Sequence, residues 1–346
     1  MAIIPAKSVT IRKVAELANV STMTVSRVMN NGWVSAETRA RVLSIIEDLN
    51  YQPDMNARSL RAGSSLIGMF VEYAVGSYEY DFQAGAIERC REAGMHLMLE
   101  PWNAQDSDLG DKITKLLRQL RLEAVILLPP HSDNPLILAR LEKEEVPVVR
   151  IAPNALNHET PVVRMDDYAA ARAMTEHLLD YGHRRIGFIR GAPGHRATED
   201  RYRGFFDVMS EHNLPVLQEF VLDGNFSFYD GEVAAREMLT AQNRPTAIFT
   251  SGDDMAVGVF SVAQQLGLRL PDELSVTGFD DSPASRMTWP RLTTIRQPVK
   301  AMGWAAADMI IEHSPKRNGW PDPMPERLFE FELIARNSTA KLREQA

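Results

Sequence analysis

The sequence predicts an all-α N-terminal head followed by an α/β body of two doubly wound parallel-sheet lobes. Three observations carry that expectation. Hydrophobic periodicity is helical only up to about residue 50, then alternates between strand and helix from Leu66 onward. Charge changes sign over the same stretch: residues 1–63 hold eight Lys and Arg against five Asp and Glu, a net +3, and the remainder holds 30 against 41, a net −11. Finally, 346 residues are too many for one core at roughly 100–200 residues per domain.

Elements of the head come first. Thr10 is placed to cap a helix carrying Val14, Ala15, Leu17 and Ala18 on one side. Asn19 follows, a residue that tolerates the left-handed backbone of a tight turn. Ser21 is placed to cap a second helix with Val25 and Val28 inward, and Ser35 a third with Val42, Ile45, Ile46 and Leu49 inward. Gln52-Pro53 stops the pattern, because proline turns its predecessor away from helix.

In the body, strands are expected at Leu66–Glu72, Met95–Pro101, Ala124–Pro129, Val146–Ile151, Arg185–Arg190, Thr246–Ser251 and Leu274–Phe279, with a last one near Phe329–Leu333. Amphipathic helices between them include Phe82–Glu92, Leu109–Leu120, Tyr168–Tyr181, Arg201–His212, Asp230–Ala241 and Met255–Leu266. Such alternation means parallel sheets covered by helices on both faces. With this many strands, two doubly wound lobes fit better than one very wide sheet.

Composition bounds the function. The chain is 45% hydrophobic and 24% charged, which excludes a disordered chain. The overall net charge of −8 argues against nucleic acid, since phosphates demand a basic surface. Division by segment reverses that inference, because a small basic head is carried on an acidic body. The lone Cys90 excludes an intrachain disulfide and fits a reducing compartment. Residues Met1–Lys7 lack the pattern of a secretory signal, and no apolar run approaches 18 residues, so a cytosolic chain is expected.

A helix-turn-helix needs a small residue where its helices touch, a turn residue four later and an apolar anchor ten later. Ala15, Asn19 and Val25 meet these needs, although a three-helix bundle of another kind can hold such residues at the same spacing. The second helix then exposes Thr22, Met23, Ser26 and Arg27, whose hydroxyls, apolar side chain and guanidinium suit the base edges of a major groove. Catalysis finds no support. Asp166-Asp167, Asp253-Asp254 and Asp280-Asp281 are neighbours that point opposite ways on an extended strand end. Gly187, Gly191 and Gly194 do not form a dinucleotide fingerprint, and phosphate-loop, HExxH and GxSxG patterns are missing. His177 and His183 flank a helix end and are read as packing or capping it. Neither a cofactor nor a metal is expected.

Specific motifs sharpen this reading. Thr10-Ile-Arg-Lys-Val-Ala-Glu-Leu-Ala-Asn-Val-Ser-Thr-Met-Thr-Val-Ser-Arg-Val-Met-Asn30, Val34-Ser-Ala-Glu-Thr-Arg39 and Tyr51-Gln-Pro-Asp-Met-Asn-Ala-Arg-Ser-Leu60 resemble the head of the lactose-repressor/galactose-repressor family. Asn19 stands where that family usually has Gly, and Asp54 where it usually has Asn. The resemblance implies that Thr22 and Met23 read bases with help from Arg27, and that Thr10, Ser21, Thr24, Asn30 and Tyr51 position phosphates. It further implies a hinge helix at Ala57-Arg58-Ser59-Leu60 in the minor groove, with Leu60 wedged between base steps.

The body continues the resemblance through His177-Leu-Leu-Asp-Tyr-Gly-His-Arg-Arg-Ile-Gly-Phe-Ile-Arg-Gly191, Arg201-Tyr-Arg-Gly-Phe205, Asp253-Asp-Met-Ala-Val-Gly258, Leu274-Ser-Val-Thr-Gly-Phe-Asp-Asp281 and Leu292-Thr-Thr-Ile-Arg-Gln-Pro298. It implies a periplasmic-binding-protein-like body with an effector cleft. There Arg201 starts a helix and Asp280 ends a strand, Tyr78 and Phe226 form flat walls, and Tyr80, Ser132, Asp253 and Gln297 are further lining candidates. Arg201 as a surface helix residue and Asp280 as a loop-capping carboxylate are the alternatives. Gly252 stands where the family usually has Asn, so no known sugar specificity transfers directly. The implied organisation is a DNA-binding head at 1–53, a hinge at 54–64 and a two-lobed effector-binding and dimerisation domain at 65–346. Lobe 1 is expected at about 65–163 and 294–321, lobe 2 at about 164–293 and 322–346. The expected function is a homodimeric, cytoplasmic transcriptional regulator, a repressor, that binds a palindromic double-stranded operator and responds to a sugar or sugar derivative, without membrane contact. The alternative is a solute-binding or transport protein, against which the head itself counts.

Overall fold

The computed structural model describes residues 11–29, 32–49, 66–72, 76–103, 108–120, 122–155, 159–313 and 319–342. The chain forms two units, 1–65 and 66–346. In the first, α1 (Ile11–Leu17), α2 (Thr22–Met29) and α3 (Ala36–Asp48) enclose a small core of Val14, Ala15, Ala18, Val25, Val28 and Val42, with Ile45, Ile46 and Leu49 packed against it. Leu17, expected on the inner side, is 49% exposed instead. Asn19 takes the left-handed turn at φ 51°. Ser21 Oγ accepts from the Thr24 N–H at 3.1 Å, and Ser35 Oγ from the Thr38 N–H at 3.3 Å, so both serines cap their helices. The expected Thr10 cap and the stop at Gln52-Pro53 lie outside the described residues.

The second unit begins with β1 (Leu66–Val71), α4 (Ser77–Glu92), β2 (His96–Pro101), α5 (Leu109–Gln119), β3 (Leu122–Leu127), α6 (Pro135–Lys143), β4 (Val148–Ile151) and β5 (Val162–Met165). It continues with α7 (Asp167–Asp180), β6 (Ile186–Arg190), α8 (Arg196–Glu211), β7 (Val221–Asp223), α9 (Phe228–Thr240), β8 (Ala247–Thr250), α10 (Asp253–Gln265), β9 (Ser275–Thr277) and α11 (Pro283–Met287). It ends with β10 (Thr294–Arg296), α12 (Val299–His313), β11 (Glu326–Phe329) and β12 (Glu332–Ile334).

Two parallel sheets result, ordered β11-β5-β4-β3-β1-β2 and β7-β6-β8-β9, and β10 pairs with β12 antiparallel in a small third. Central strands such as β1 and β8 are buried along nearly all their length because both faces are covered. In lobe 1, Leu109 and Ile113 of α5 and Ile137 and Leu141 of α6 pack on Phe70, Val125 and Leu127. The opposite face is covered by α4 and α12, which approach closely at two glycines. A Cβ on Gly85 would stand 1.9 Å from the Lys300 carbonyl oxygen, and one on Gly303 2.0 Å from that of Phe82. In lobe 2, α9 and α10 cover Ile189, Ile248 and Val276. Residues 336–342 strap this lobe down: His183 Nε2 meets the Ala340 carbonyl at 3.1 Å and Ser275 Oγ at 3.0 Å, and the Leu342 N–H donates to the Tyr181 carbonyl at 2.7 Å. His177 packs beside it, its Nε2 3.1 Å from Thr339 Oγ1.

The expected lobe boundary near residue 321 is corrected. β11 pairs in parallel with β5, so the first lobe's sheet takes the chain back as far as Phe329. The single strand expected near Phe329–Leu333 is in fact two, in different sheets. Three- and four-residue strands with exposed polar positions are too short for periodicity to reveal.

Candidate functional site

On the head, α2 leaves one face open. Thr22, Met23 and Arg27 are exposed, Thr24 and Ser26 half-buried, and the Arg27 guanidinium lies along the Met23 thioether at 3.9 Å. Val25 and Val28 occupy the opposite side of the helix in the core, so helical geometry alone turns the hydroxyls and the cation outward. Ser21, at the helix start, is engaged as its cap. Thr10, Asn30, Tyr51, Ala57, Arg58, Ser59 and Leu60 lie outside the described residues.

In the body, the C-terminal ends of the parallel strands converge, as ligand sites in open α/β sheets require. Arg201 is at their centre, 4% exposed, in the second turn of α8 rather than at the helix start. Its Nε donates to Asp167 Oδ1 at 2.8 Å, and its Nη1 to the Ser251 carbonyl at 2.6 Å. The guanidinium carbon stands 3.6 Å from the Phe279 ring centroid and 5.9 Å from that of Phe226. Asp280 accepts at Oδ1 from Gln297 Nε2 at 2.6 Å, and burial pushes its carboxyl well above the usual range, against the opposing pull of Arg201. Tyr78, in the first turn of α4, completes the cluster. Burial first, and then Asp167, raises its hydroxyl above the usual range. Phe226 and Asp280 hold positive φ values of 57° and 116°, conformations that non-glycine residues adopt only where the surroundings enforce them.

Arg201, Asp280, Phe226, Tyr78 and Gln297 therefore come together, and three other candidates do not. Tyr80 is 68% exposed, because two residues along a helix turn it about 200° away from Tyr78. Ser132 is fully buried in a short 3-10 turn, its hydroxyl shared between the Leu127 and Ile151 carbonyls at 2.8 and 2.7 Å. Asp253 is 1% exposed and accepts from Thr294 Oγ1 and the Ser282 N–H, each at 2.7 Å. Both polar groups are already engaged by neighbouring protein groups.

Sequence reasoning missed Asp167, Phe279, the Ser251 carbonyl and His195, whose ring meets that of Phe226 edge-on at 5.6 Å. A signal for Asp167 did exist: in Asp166-Asp167 the first residue caps α7 through the Ala169 N–H at 2.9 Å, which leaves the second to turn inward. The two residues of each acidic pair diverge, but Asp166-Asp167 and Asp253-Asp254 stand at helix starts, not on the extended strand ends expected, and only Asp280-Asp281 lies in a loop, beyond β9. Asp281 faces away from Asp280 into a nest of Arg336, Arg296, Arg286 and Ser285. Burial would raise its carboxyl, yet hydrogen bonds from Arg336, Arg296 and Ser285 hold it below the usual range. Gly252 faces the cluster, for a Cβ there would sit 3.6 Å from Phe226 and 3.7 Å from Asp280. Beside the cluster, Asn154, Gly194, Arg196, Glu199, Asp200 and Arg203 line an open depression of about 410 Å³. Among the described residues, no group of three or more His, Cys, Asp or Glu could hold a metal ion, and no helix is long and apolar enough to cross a membrane.

Comparison with known proteins gives concordant results at both ends. Residues 10–54 match the model of bacterial regulatory proteins of the lacI family, and residues 175–339 that of the periplasmic binding protein-like domain. The chain is 33% identical over 338 residues to the HTH-type transcriptional repressor PurR of Haemophilus influenzae (strain PittEE), covering 96% of this chain and 99% of the relative. It is 29% identical over 338 residues, with the same coverage, to the probable HTH-type transcriptional repressor ExuR of Bacillus subtilis (strain 168). Among solved structures, the lac repressor dimer bound to operator and the anti-inducer ONPF superposes with a TM-score of 0.77 at 26% identity, over 96% of this chain and 100% of that one. A complex of the transcriptional regulator CelR with cellobiose gives a TM-score of 0.72 at 25% identity, over 95% and 99%.

Proposed function

The chain belongs to the lacI family of bacterial regulatory proteins, and from that membership we infer that it represses transcription as a homodimer on a palindromic operator, under control of a small molecule held between its lobes. One observation carries the reading: a head that turns Thr22, Met23 and Arg27 outward from a recognition helix shares a chain with a body whose strand ends converge on Arg201, Asp167 and Asp280. A solute-binding protein without a regulatory role has no use for the first half of that pairing.

In this reading Thr22 and Met23 touch base edges in the major groove, with Arg27 adding a base or backbone contact. Ser26 offers a further hydroxyl to the groove, and Thr10, Ser21, Thr24, Asn30 and Tyr51 hold the phosphate chain. Ala57-Arg58-Ser59-Leu60 forms the hinge helix, and Leu60 from two subunits wedges the minor groove open. Two heads are needed because a single +3 module neutralises few phosphates.

The effector is a sugar or sugar derivative. Its hydroxyls meet Arg201, Asp280, Gln297 and Asp167, and its ring faces lie on Phe226 and Tyr78. The transcriptional regulator CelR, similar in fold, forms a complex with cellobiose, which supports that class. Binding alters the angle between the lobes and hence the spacing of the hinges, and the linkage is reciprocal, so an effector that weakens DNA binding is itself held more weakly on DNA. The protein carries out no catalysis and works in the cytoplasm, at the nucleoid when bound to its operator.

The test is a gel shift on the DNA upstream of its own gene, with and without a panel of sugars. A shift that one sugar abolishes or strengthens is expected, and the absence of any shift on palindromic DNA at low salt would refute the reading.

A further inference from the structure

The most exposed large apolar side chain of the described head belongs to no role assigned so far. Trp33 is 90% exposed, in the loop between α2 and α3. An indole carries about 150–250 Å² of mostly apolar surface, the kind of group that a 63-residue basic head gains nothing by leaving in water.

The backbone on both sides of it is fixed. The Gly32 N–H donates to the Arg27 carbonyl at 2.7 Å, and the Gly32 carbonyl accepts from Arg39 Nη2 at 2.7 Å. Arg39 Nη1 also holds the Val28 carbonyl at 3.3 Å. Val34 packs on the head core, and Ser35 caps α3. The loop is pressed against the reading helix so closely that a Cβ on Gly32 would stand 3.3 Å from Arg27 Cβ. Arg27 is exposed on the face that carries Thr22 and Met23. Trp33 thus projects from backbone held on both sides, next to the exposed Arg27.

We propose that Trp33 is a contact to the DNA backbone: its ring seats on the sugar–phosphate chain beside the groove that α2 enters, and its indole N–H donates to a phosphate oxygen. The indole is a donor only and carries no charge. It therefore adds affinity without releasing counterions and without reading sequence. This assignment rests on the DNA-binding function proposed above.

The test uses the full-length protein, its Trp33→Ala and Trp33→Phe variants, and two duplexes of equal length, one from upstream of its own gene and one of random sequence. Trp33→Ala is expected to weaken binding to both duplexes by a similar factor, about tenfold. The slope of log affinity against log salt and the urea midpoint of the free protein should stay as in wild type. Trp33→Phe should recover part of the loss, and the change in indole emission that DNA causes in wild type should disappear in it, since Trp102, Trp289, Trp304 and Trp320 belong to the body.

Wild-type affinity of Trp33→Ala for both duplexes, or a DNA-induced emission change retained in Trp33→Phe, would overturn the proposal. So would a loss confined to the upstream duplex, which would make Trp33 a reader of bases. Failure of the wild-type protein to bind either duplex overturns the DNA-binding function and this assignment together, whereas wild-type binding with an indifferent Trp33→Ala overturns this assignment alone.

Discussion

Arg201 and Asp167 are each almost fully buried, so each makes the other tolerable. Removal of the cation alone strands a carboxylate in the interior. Arg201→Ala is expected to cost about 3–5 kcal/mol of stability by urea denaturation, together with loss of the effector response. Adding Asp167→Asn should restore much of the stability but not the response. An unchanged midpoint in the single variant would show that Asp167 finds another partner. Asp253 has a different consequence. Burial pushes its carboxyl up to about 7, although Thr294 and Ser282 pull it the other way. Between the ordinary value of 3.8 and about 7, the folded chain keeps a proton that the unfolded chain has released, so this group's contribution to stability falls as pH rises through that window. His183 acts in the opposite sense. Burial lowers it to about 4, so the unfolded chain takes up a proton first and stability is lost as pH falls from 6.5 toward 4. Asp253→Asn keeps an acceptor for the Ser282 N–H and turns a donor toward the Thr294 hydroxyl, which can accept. Urea midpoints from about pH 4 to 8 should then show the His183 rise without the Asp253 decline, and a profile identical to wild type would exclude Asp253 as the titrating group.

At the scale of elements, helix and strand classes followed from periodicity, because a face buried along its length imposes its repeat on the sequence. The head helices, their serine caps and the Asn19 turn were legible for that reason. The strands β5, β7 and β10 were not picked out, although the equally short β4, β8 and β9 were. Nor was the α4–α12 crossing visible, because a glycine in a helical pattern reads as a weak helix former until its neighbour is known. Gly303→Ala drives a methyl into the Phe82 carbonyl. It should cost about 1–3 kcal/mol or more, as overpacked sites do, read from the denaturation midpoint. A neutral result would mean that the helices can separate without loss elsewhere in lobe 1.

For the molecule as a whole, the net charge of −8 averages a +3 reader and a −11 sensor, and only the division by segment exposes the nucleic-acid partner. A ligand that binds only the folded body must raise its thermal transition. A sugar that alters the gel shift should stabilise the body by about 2.7 kcal/mol at a hundredfold excess over its dissociation constant. A sugar that changes DNA binding without moving the melting temperature would act somewhere other than the cleft. By itself the sequence determined the order of elements and the helix-turn-helix spacing, because both are written in local repeats or contiguous motifs, and its family resemblance pointed to five residues that the fold brings together. Tertiary structure decided which polar atoms remain available. Ser132 and Asp253 proved to be engaged, Tyr80 to face away, and Asp167 to hold Arg201 across 34 residues of chain. Burial and hydrogen bonding are properties of partners distant in sequence, and no local pattern encodes the partner.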